Sequence, residues 1–178
     1  MKRFSYQLVK YNLENSREEQ VCKTLCNLAS KLSTIHCLNL ALEFVEYALL
    51  LNSNDVYPWG IKAGIYKSLG DYDSALRICN EAITEFPTDV VSRTIKTEIL
   101  KARGEYDEAL KLCNETIERF PQGIVPRTIK IEILKARGEY EEAMRLCNET
   151  IERFPQEVVP RSIKAEILKA RGDYDEAM

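Results

Sequence analysis

One phrase of the sequence returns at a fixed interval of 34 residues. The stretch GDYDSALRICNEAITEFP at 70–87 recurs as GEYDEALKLCNETIERFP at 104–121 and as GEYEEAMRLCNETIERFP at 138–155, and GDYDEAM begins a further copy at 172. Residues 90–123 and 124–157 are identical at 27 of 34 positions. A constant period of this length is typical of repeat proteins, in which each unit buries its apolar face against the next unit.

Each copy has the start and stop signals of two helices joined by a turn. Strong helix formers lead up to Gly104, where glycine can adopt the left-handed conformation that ends a helix. Acidic residues that follow, such as Asp71, are suited to cap a second helix, and Pro121 ends that helix because proline cannot continue it. Proline also recurs in one slot at the start of the first helix, at Pro58, Pro126 and Pro160.

The apolar residues of the first helix fall on two separate arcs. With about 100° of rotation per residue, Thr97 and Leu100 define one arc over residues 90–103. The other arc contains Val91, Ile95, Ile99 and Ala102. A helix with two apolar arcs is packed on two sides, which predicts a first helix held between its own partner and the next repeat.

A strip of polar residues, Thr94, Glu98 and Lys101, lies between the two arcs. On the second helix Ala109 recurs as a small residue that permits close helix packing, and Cys113 shares its face. The pattern therefore predicts an all-α fold in which successive helix pairs stack and leave one polar strip on each first helix.

These residues resemble the tetratricopeptide repeat family, which has a 34-residue period and two antiparallel helices. Its motif is matched in the second copy by Trp59, Tyr66, Gly70, Tyr72, Ala75, Ala82 and Pro87. The matches depart from the motif at Lys62 and Ala63, at Cys79, and at Arg93, Arg127 and Arg161 in the tryptophan slot. The resemblance implies a right-handed α-solenoid that binds a protein or peptide partner in a concave groove lined by the first helices.

The same resemblance places the polar strip in that groove. The predicted partner-binding residues are Tyr57, Lys67, Thr94, Glu98, Lys101, Thr128, Glu132, Lys135, Ser162, Glu166 and Lys169. We expect a partner with basic residues facing Glu98, Glu132 and Glu166, whereas a clamp for a terminal carboxylate does not fit the threonine and glutamate present. The alternative, that Glu and Lys three residues apart simply pair on a solvated helix face, stays open.

The period divides the chain into units. We predict a capping helix at 1–21, a degenerate repeat at 22–55, full repeats at 56–89, 90–123 and 124–157, and a partial repeat at 158–178. We also expect the chain to be a fragment of a longer array, since it stops inside a repeat. An apolar face left open at Ile163 and Ile167 would then favour self-association.

The six cysteines predict free thiols rather than a metal site or disulfides. Cys22 and Cys26, with His36 and Cys37 nearby, could in principle bind zinc, but the first two fall on a packed helix face where cysteine acts as a small apolar residue. The recurring Cys79, Cys113 and Cys147 occupy one core slot and lie a repeat apart, too far for disulfides. We expect no metal and no cofactor.

Composition narrows the classes of function. A net charge of −3 and a pI near 5.4 do not favour nucleic acid as a partner, which argues against a helical RNA-binding array. No catalytic fingerprint is present, and we expect neither an enzyme nor a membrane protein, but a cytoplasmic interaction scaffold. The alternative is that the array is the sensor or substrate-recruiting region of a larger, multidomain and even enzymatic protein.

Overall fold

A computed structural model describes residues 18–172, and within that range the chain consists of nine α-helices joined by short turns, with no strand. The helices are α1 (Glu18–Thr34), α2 (Leu38–Leu51), α3 (Val56–Ser68), α4 (Tyr72–Glu85), α5 (Val90–Ala102), α6 (Tyr106–Arg119), α7 (Val125–Ala136), α8 (Tyr140–Arg153) and α9 (Val159–Arg171). The odd-numbered helices are the first helices of the repeats, and the even-numbered ones are the second helices. The predicted all-α array of antiparallel helix pairs is confirmed.

The turn after each first helix contains one residue in the left-handed conformation. Gly104 has a φ of +76°, in the left-handed region that side chains other than glycine rarely adopt. The Gly104 amide donates to the Lys101 carbonyl, and the Glu105 amide donates to the Leu100 carbonyl, which closes the helix end. His36 occupies the same slot after α1 with a φ of +59°, although it carries a side chain. The predicted helix-ending role of this slot is confirmed.

The starts of the helices differ from copy to copy. Asp71 caps α4 by accepting from the Ser74 amide, as predicted. Hydrogen bonds with the Ser74 side chain and then with its amide lower the pKa of the Asp71 carboxyl. Glu105 and Glu139, in the same slot before α6 and α8, make no such bond. Asp55 and Asp89 cap the first helices α3 and α5. By contrast α7 and α9 begin without a side-chain cap, although they carry a proline in their first turn as α3 does.

In the later copies arginine takes over the hydrogen bond that tryptophan makes in the second copy, at 56–89. Trp59 Nε1 donates to the Ser53 carbonyl, six residues earlier, at 3.3 Å. A guanidinium nitrogen donates to the carbonyl six residues earlier in each later copy, from Arg93 to Pro87, from Arg127 to Pro121 and from Arg161 to Pro155. The departure from the family motif in this slot therefore keeps the bond that ties the first helix to the loop before it.

The chain divides into two compact units, one through Ile95 and one from Lys96. In the N-terminal unit the core of α1, α2 and α3 is built from small and medium apolar residues. The largest fully buried residues among them are Val45 and Ile65. The remaining buried members are Cys22, Leu25, Cys26, Ala29, Ala41 and Ala48.

In the C-terminal unit two apolar clusters follow one another. The first joins α5, α6 and α7 through Leu100, Ala109, Leu112, Cys113, Ile129 and Ile133. The second joins α7, α8 and α9 through Ile131, Leu134, Ala143, Leu146, Cys147, Ile163 and Ile167. First helices therefore contribute to clusters on two sides, as the two apolar arcs predicted.

Two predictions about the packing are corrected. Val91 and Ala102, assigned to a buried arc, are exposed in the structure because they lie in the first and last turns of α5. Ile163 and Ile167 are buried against α7 and α8, so they do not form an open apolar face. The predictions for residues 1–17 of the capping helix and for residues 173–178 of the partial repeat lie outside the described residues.

Candidate functional site

The predicted polar strip of the C-terminal unit lies on matching faces of successive first helices. It consists of Thr128, Glu132 and Lys135 on α7 and of Ser162, Glu166 and Lys169 on α9, with Glu98 and Lys101 in the same slots of α5. Residues three and four apart lie on one side of a helix, so each set forms one face. The helices α7 and α9 contact each other, which brings their two faces side by side.

Four charged residues of the strip pair between helices rather than along one helix. Lys101 Nζ lies 2.5 Å from Glu132 Oε2, and Lys135 Nζ lies 2.5 Å from Glu166 Oε2. Both bonds join residues 31 positions apart, on the first helices of consecutive repeats. We call these two ion pairs the Lys–Glu ladder. The ladder leaves Glu132 and Glu166 with compensated charge, which bears directly on what a partner can find there.

The hydroxyl groups of the strip are turned back onto their own helices. Thr128 Oγ1 donates to the Val125 carbonyl at 2.8 Å, and Ser162 Oγ lies 3.5 Å from the Val158 carbonyl. Thr128 is buried and Ser162 is exposed. Neither hydroxyl therefore needs a partner molecule to satisfy its donor.

A row of exposed apolar residues beside the strip was missed by the sequence analysis. Val125 and Val159 are 46% and 51% exposed, one helical turn before Thr128 and Ser162 on the same helix faces. Their slot could have been recognised, because a side chain in the first turn of a helix has no preceding turn to cover it. In the described part from Lys96 onward the large exposed apolar residues are Val125, Val158 and Val159.

In the N-terminal unit two slots of the strip on α3 are occupied by glycine. Tyr57 is exposed, and Lys67 and Thr94 are half-buried, so all three predicted residues reach the surface. Between Tyr57 and Lys67, Gly60 and Gly64 occupy the slots that hold Thr128 and Glu132 in the later copy. A Cβ on Gly60 would lie 3.0 Å from Val91 Cγ1, so a larger residue here would have to displace the Val91 side chain where α3 and α5 meet.

Among the described residues no group of three or more His, Cys, Asp or Glu side chains is placed to hold a metal ion. Cys22 and Cys26 are buried in the core, whereas His36 and Cys37 are exposed. Burial raises the pKa of the Cys26 and Cys113 thiols to about 12, which disfavours the reactive thiolate.

A cleft of about 250 Å³ lies between α5 and α6, lined by Lys96, Glu108, Lys111, Leu112 and Glu115. Lys96 is two residues from both Thr94 and Glu98, so it projects from roughly the opposite side of α5. Two carboxylates and two ammonium groups balance one another there. The cleft is thus separate from the strip and has no net charge to select a ligand.

Comparison with known proteins places residues 41–127 in a tetratricopeptide repeat family model. A search of curated protein sequences gives no match. Among solved structures, a tetratricopeptide repeat protein from Parabacteroides merdae is 22% identical with a TM-score of 0.73. The match covers 88% of this chain and 61% of that protein, so the chain spans less than two thirds of its length.

Two further structures show the same arrangement of helices. A thermophilic tetratricopeptide repeat protein of Thermus thermophilus is 19% identical, with a TM-score of 0.74 over 88% of this chain and 86% of its own. YrrB, described as a tetratricopeptide repeat protein with an unusual peptide-binding site, is 18% identical, with a TM-score of 0.61 over 96% and 87% of the two chains. No helix in the described range is long and apolar enough to span a membrane.

Proposed function

Because the chain belongs to the tetratricopeptide repeat family, we propose that it is a protein-interaction scaffold that binds an extended peptide segment of another protein along its first helices. The observation that carries this proposal is the surface shared by α7 and α9, where the polar strip and the exposed valines recur at one repeat spacing. A repeating surface of this kind suits an extended ligand, whose side chains also recur at regular intervals.

The similarity to YrrB supports the same type of ligand, since that protein is described as having a peptide-binding site. In this role the strip residues only contact the partner and take no part in a reaction. The strip offers apolar methyl groups, ion-paired side chains and hydroxyls, which are sufficient for recognition and do not form a pair of acid and base groups.

A peptide-binding experiment tests the proposal. Random peptides displayed on phage are selected on the folded chain, and the affinity of a recovered peptide is measured by fluorescence anisotropy. The double variant Ser162→Arg/Glu166→Arg places two bulky cations on the exposed strip of α9 and is expected to weaken binding by about ten-fold or more.

The matched control is Glu152→Arg/Gln156→Arg, which makes the same change in net charge at exposed positions of α8 and the following loop. Circular dichroism verifies that both variants keep their helix content. Equal losses of affinity in the two variants would indicate a general charge effect, and unchanged binding by the strip variant would move the interface elsewhere.

Two further properties predicted from the sequence bear on the partner. The predicted preference for a basic partner is weakened by the ladder, because Lys101 and Lys135 already compensate the charges of Glu132 and Glu166. Self-association was predicted from an open apolar face at Ile163 and Ile167. Both residues are buried, so this face does not support it. Light scattering at high protein concentration tests the second property, and the peptide selection tests the first.

The alternative is that this array is the sensor or substrate-recruiting region of a larger, multidomain protein. That role is compatible with the same binding surface. The chain spans 61% of the Parabacteroides merdae protein, so longer members of this architecture exist. The full-length coding sequence decides between the two: a catalytic domain in the same open reading frame would favour the recruiting role.

A further inference from the structure

The charges of the Lys–Glu ladder are satisfied within the protein. Glu132 accepts from Lys101 and Glu166 accepts from Lys135, at side chains that are 36% and 60% exposed. A lysine or arginine of a partner could reach these carboxylates only in competition with the resident lysine. Exchanging one partly exposed ion pair for another gives little net free energy, because such pairs are weak in solvent.

The surface that can gain from burial is apolar. Val125 and Val159 present their side chains at about half of full exposure, on the same faces as the ladder residues. Val158 is 68% exposed immediately before α9. Burying the exposed part of a valine side chain removes apolar surface from water, which gains more free energy than the exchange of one exposed ion pair for another.

From this balance of charge we propose that the partner segment is uncharged where it crosses the ladder and places apolar side chains against Val125 and Val159. This inference rests on the proposed function, because it specifies the ligand of the same surface. It replaces electrostatic recognition by apolar recognition as the source of specificity in the C-terminal unit.

The distance between the valines sets the spacing of the partner's side chains. The two valines occupy one slot on α7 and α9, which contact each other, and the axes of contacting helices lie about 8–10 Å apart. An extended peptide rises about 3.3 Å per residue. Apolar side chains two or three residues apart therefore match the two valines.

The experiment that tests the inference uses a displayed library of random twelve-residue peptides selected on the full chain. We expect recovered sequences to be enriched in Leu, Ile, Val and Phe at positions two or three apart and to be depleted in all four charged residues. Enrichment in Lys and Arg would overturn the inference in favour of the basic partner. Recovery of no binding sequence would overturn the proposed function itself, and the inference with it.

Variants of the chain then locate the recovered peptide. Val125→Asp/Val159→Asp is expected to lower its affinity by about ten-fold or more, since two buried apolar contacts are lost. Aspartate in the first turn of a helix is favourable for helix stability, so the variant is expected to fold. Gln122→Asp/Gln156→Asp is the control with the same change in charge at exposed loop positions, and it should bind as the unmodified chain does.

A reversed ladder pair separates apolar from charged recognition. Lys101→Glu/Glu132→Lys exchanges the two charges while keeping a pair at the same place. A peptide recognised by the valines should bind this variant with affinity changed by less than about three-fold. A loss of ten-fold or more in the reversed pair, or full binding by the double aspartate variant, would contradict the inference.

Discussion

The two compact units use the same slots of the repeat for different purposes. In the N-terminal unit, aspartates cap the first helices α3 and α5, and Gly60 and Gly64 leave the strip of α3 without side chains between Tyr57 and Lys67. In the C-terminal unit, α7 and α9 start without a side-chain cap, and lysine and glutamate fill the strip with ion pairs between helices.

The interior of the two units is alike. Ala75, Ala109 and Ala143 are fully buried in both units, and so is the cysteine four residues later in each copy. The slots that pack the helices keep their residues from copy to copy, whereas two of the three slots of the strip hold glycine in α3 and polar residues in the later copies. Stacking and the proposed recognition therefore depend largely on separate residues.

Overpacking the shared alanine slot should give the largest effect and should be the same in both units. Ala75→Leu and Ala109→Leu each add three carbon atoms where the native side chain has no exposure, and each is expected to lower the free energy of unfolding by about 1–3 kcal/mol. Urea denaturation followed by circular dichroism measures this. Ala136→Leu, at an exposed position of α7, is the control. A negligible cost at Ala75 alone would break the likeness of the two interiors.

The turn after the first helix should respond with opposite signs in the two units. His36→Gly is expected to raise the free energy of unfolding by about 1 kcal/mol, because it relieves a left-handed backbone at a residue with a side chain. Gly104→Ala is expected to lower it by about 1–2 kcal/mol for the converse reason. Gly64→Ala, inside α3 with open space around its Cβ, is the control for glycine as such and should be stabilising. Equal signs at His36 and Gly104 would contradict the shared turn geometry.

The caps of the first helices should distinguish the units directly. Asp89 accepts from the amides of Val91 and Ser92, so Asp89→Ala is expected to cost about 0.5–2 kcal/mol. Glu157 holds the equivalent slot before α9, and Glu157→Asp should gain less than about 1 kcal/mol by supplying the shorter capping carboxylate. Thermal or urea unfolding checks both, with Asp89→Asn as the variant that keeps the cap. A loss of stability in Glu157→Asp would show that this helix start cannot accept a cap.

The ladder should have the smallest effect on stability. A double-mutant cycle with Lys101→Met and Glu132→Gln is expected to give a coupling free energy of about 0.2–1 kcal/mol that decreases with added salt. The matching cycle in the N-terminal unit uses Lys62→Met and Glu46→Gln, whose charged atoms lie 3.5 Å apart. We expect a smaller coupling there, and a larger one would reverse the assignment of ion pairing to the C-terminal unit.

The period made most of the fold predictable. Glycine, proline and the small alanine recur at fixed slots, and each has one physical role that does not depend on distant residues. The helix bounds near Gly104 and Pro121 and the buried state of Ala109 and Cys113 follow from those roles. These features are local, so the sequence of one repeat contains them.

Features that depend on the distance between helices were not predictable in the same way. The spacing of Glu98 and Lys101 suggests pairing within one helix, but the side chain of Lys101 reaches Glu132 on the next first helix. The exposure of Val91 was misjudged because a helical projection treats the first turn like the middle of a helix. Arginine and tryptophan are equivalent in their slot because both donate to the carbonyl six residues earlier. The residue types alone do not indicate this shared bond.

The Lys–Glu ladder has a consequence for how such a chain can change its length. Each copy supplies a lysine to the copy after it and a glutamate to the copy before it, so every junction between these copies is chemically equivalent. A gene duplication or deletion of one whole period would leave each remaining junction with its proper partner. Arrays of this design can therefore grow or shrink by recombination without a compensating mutation.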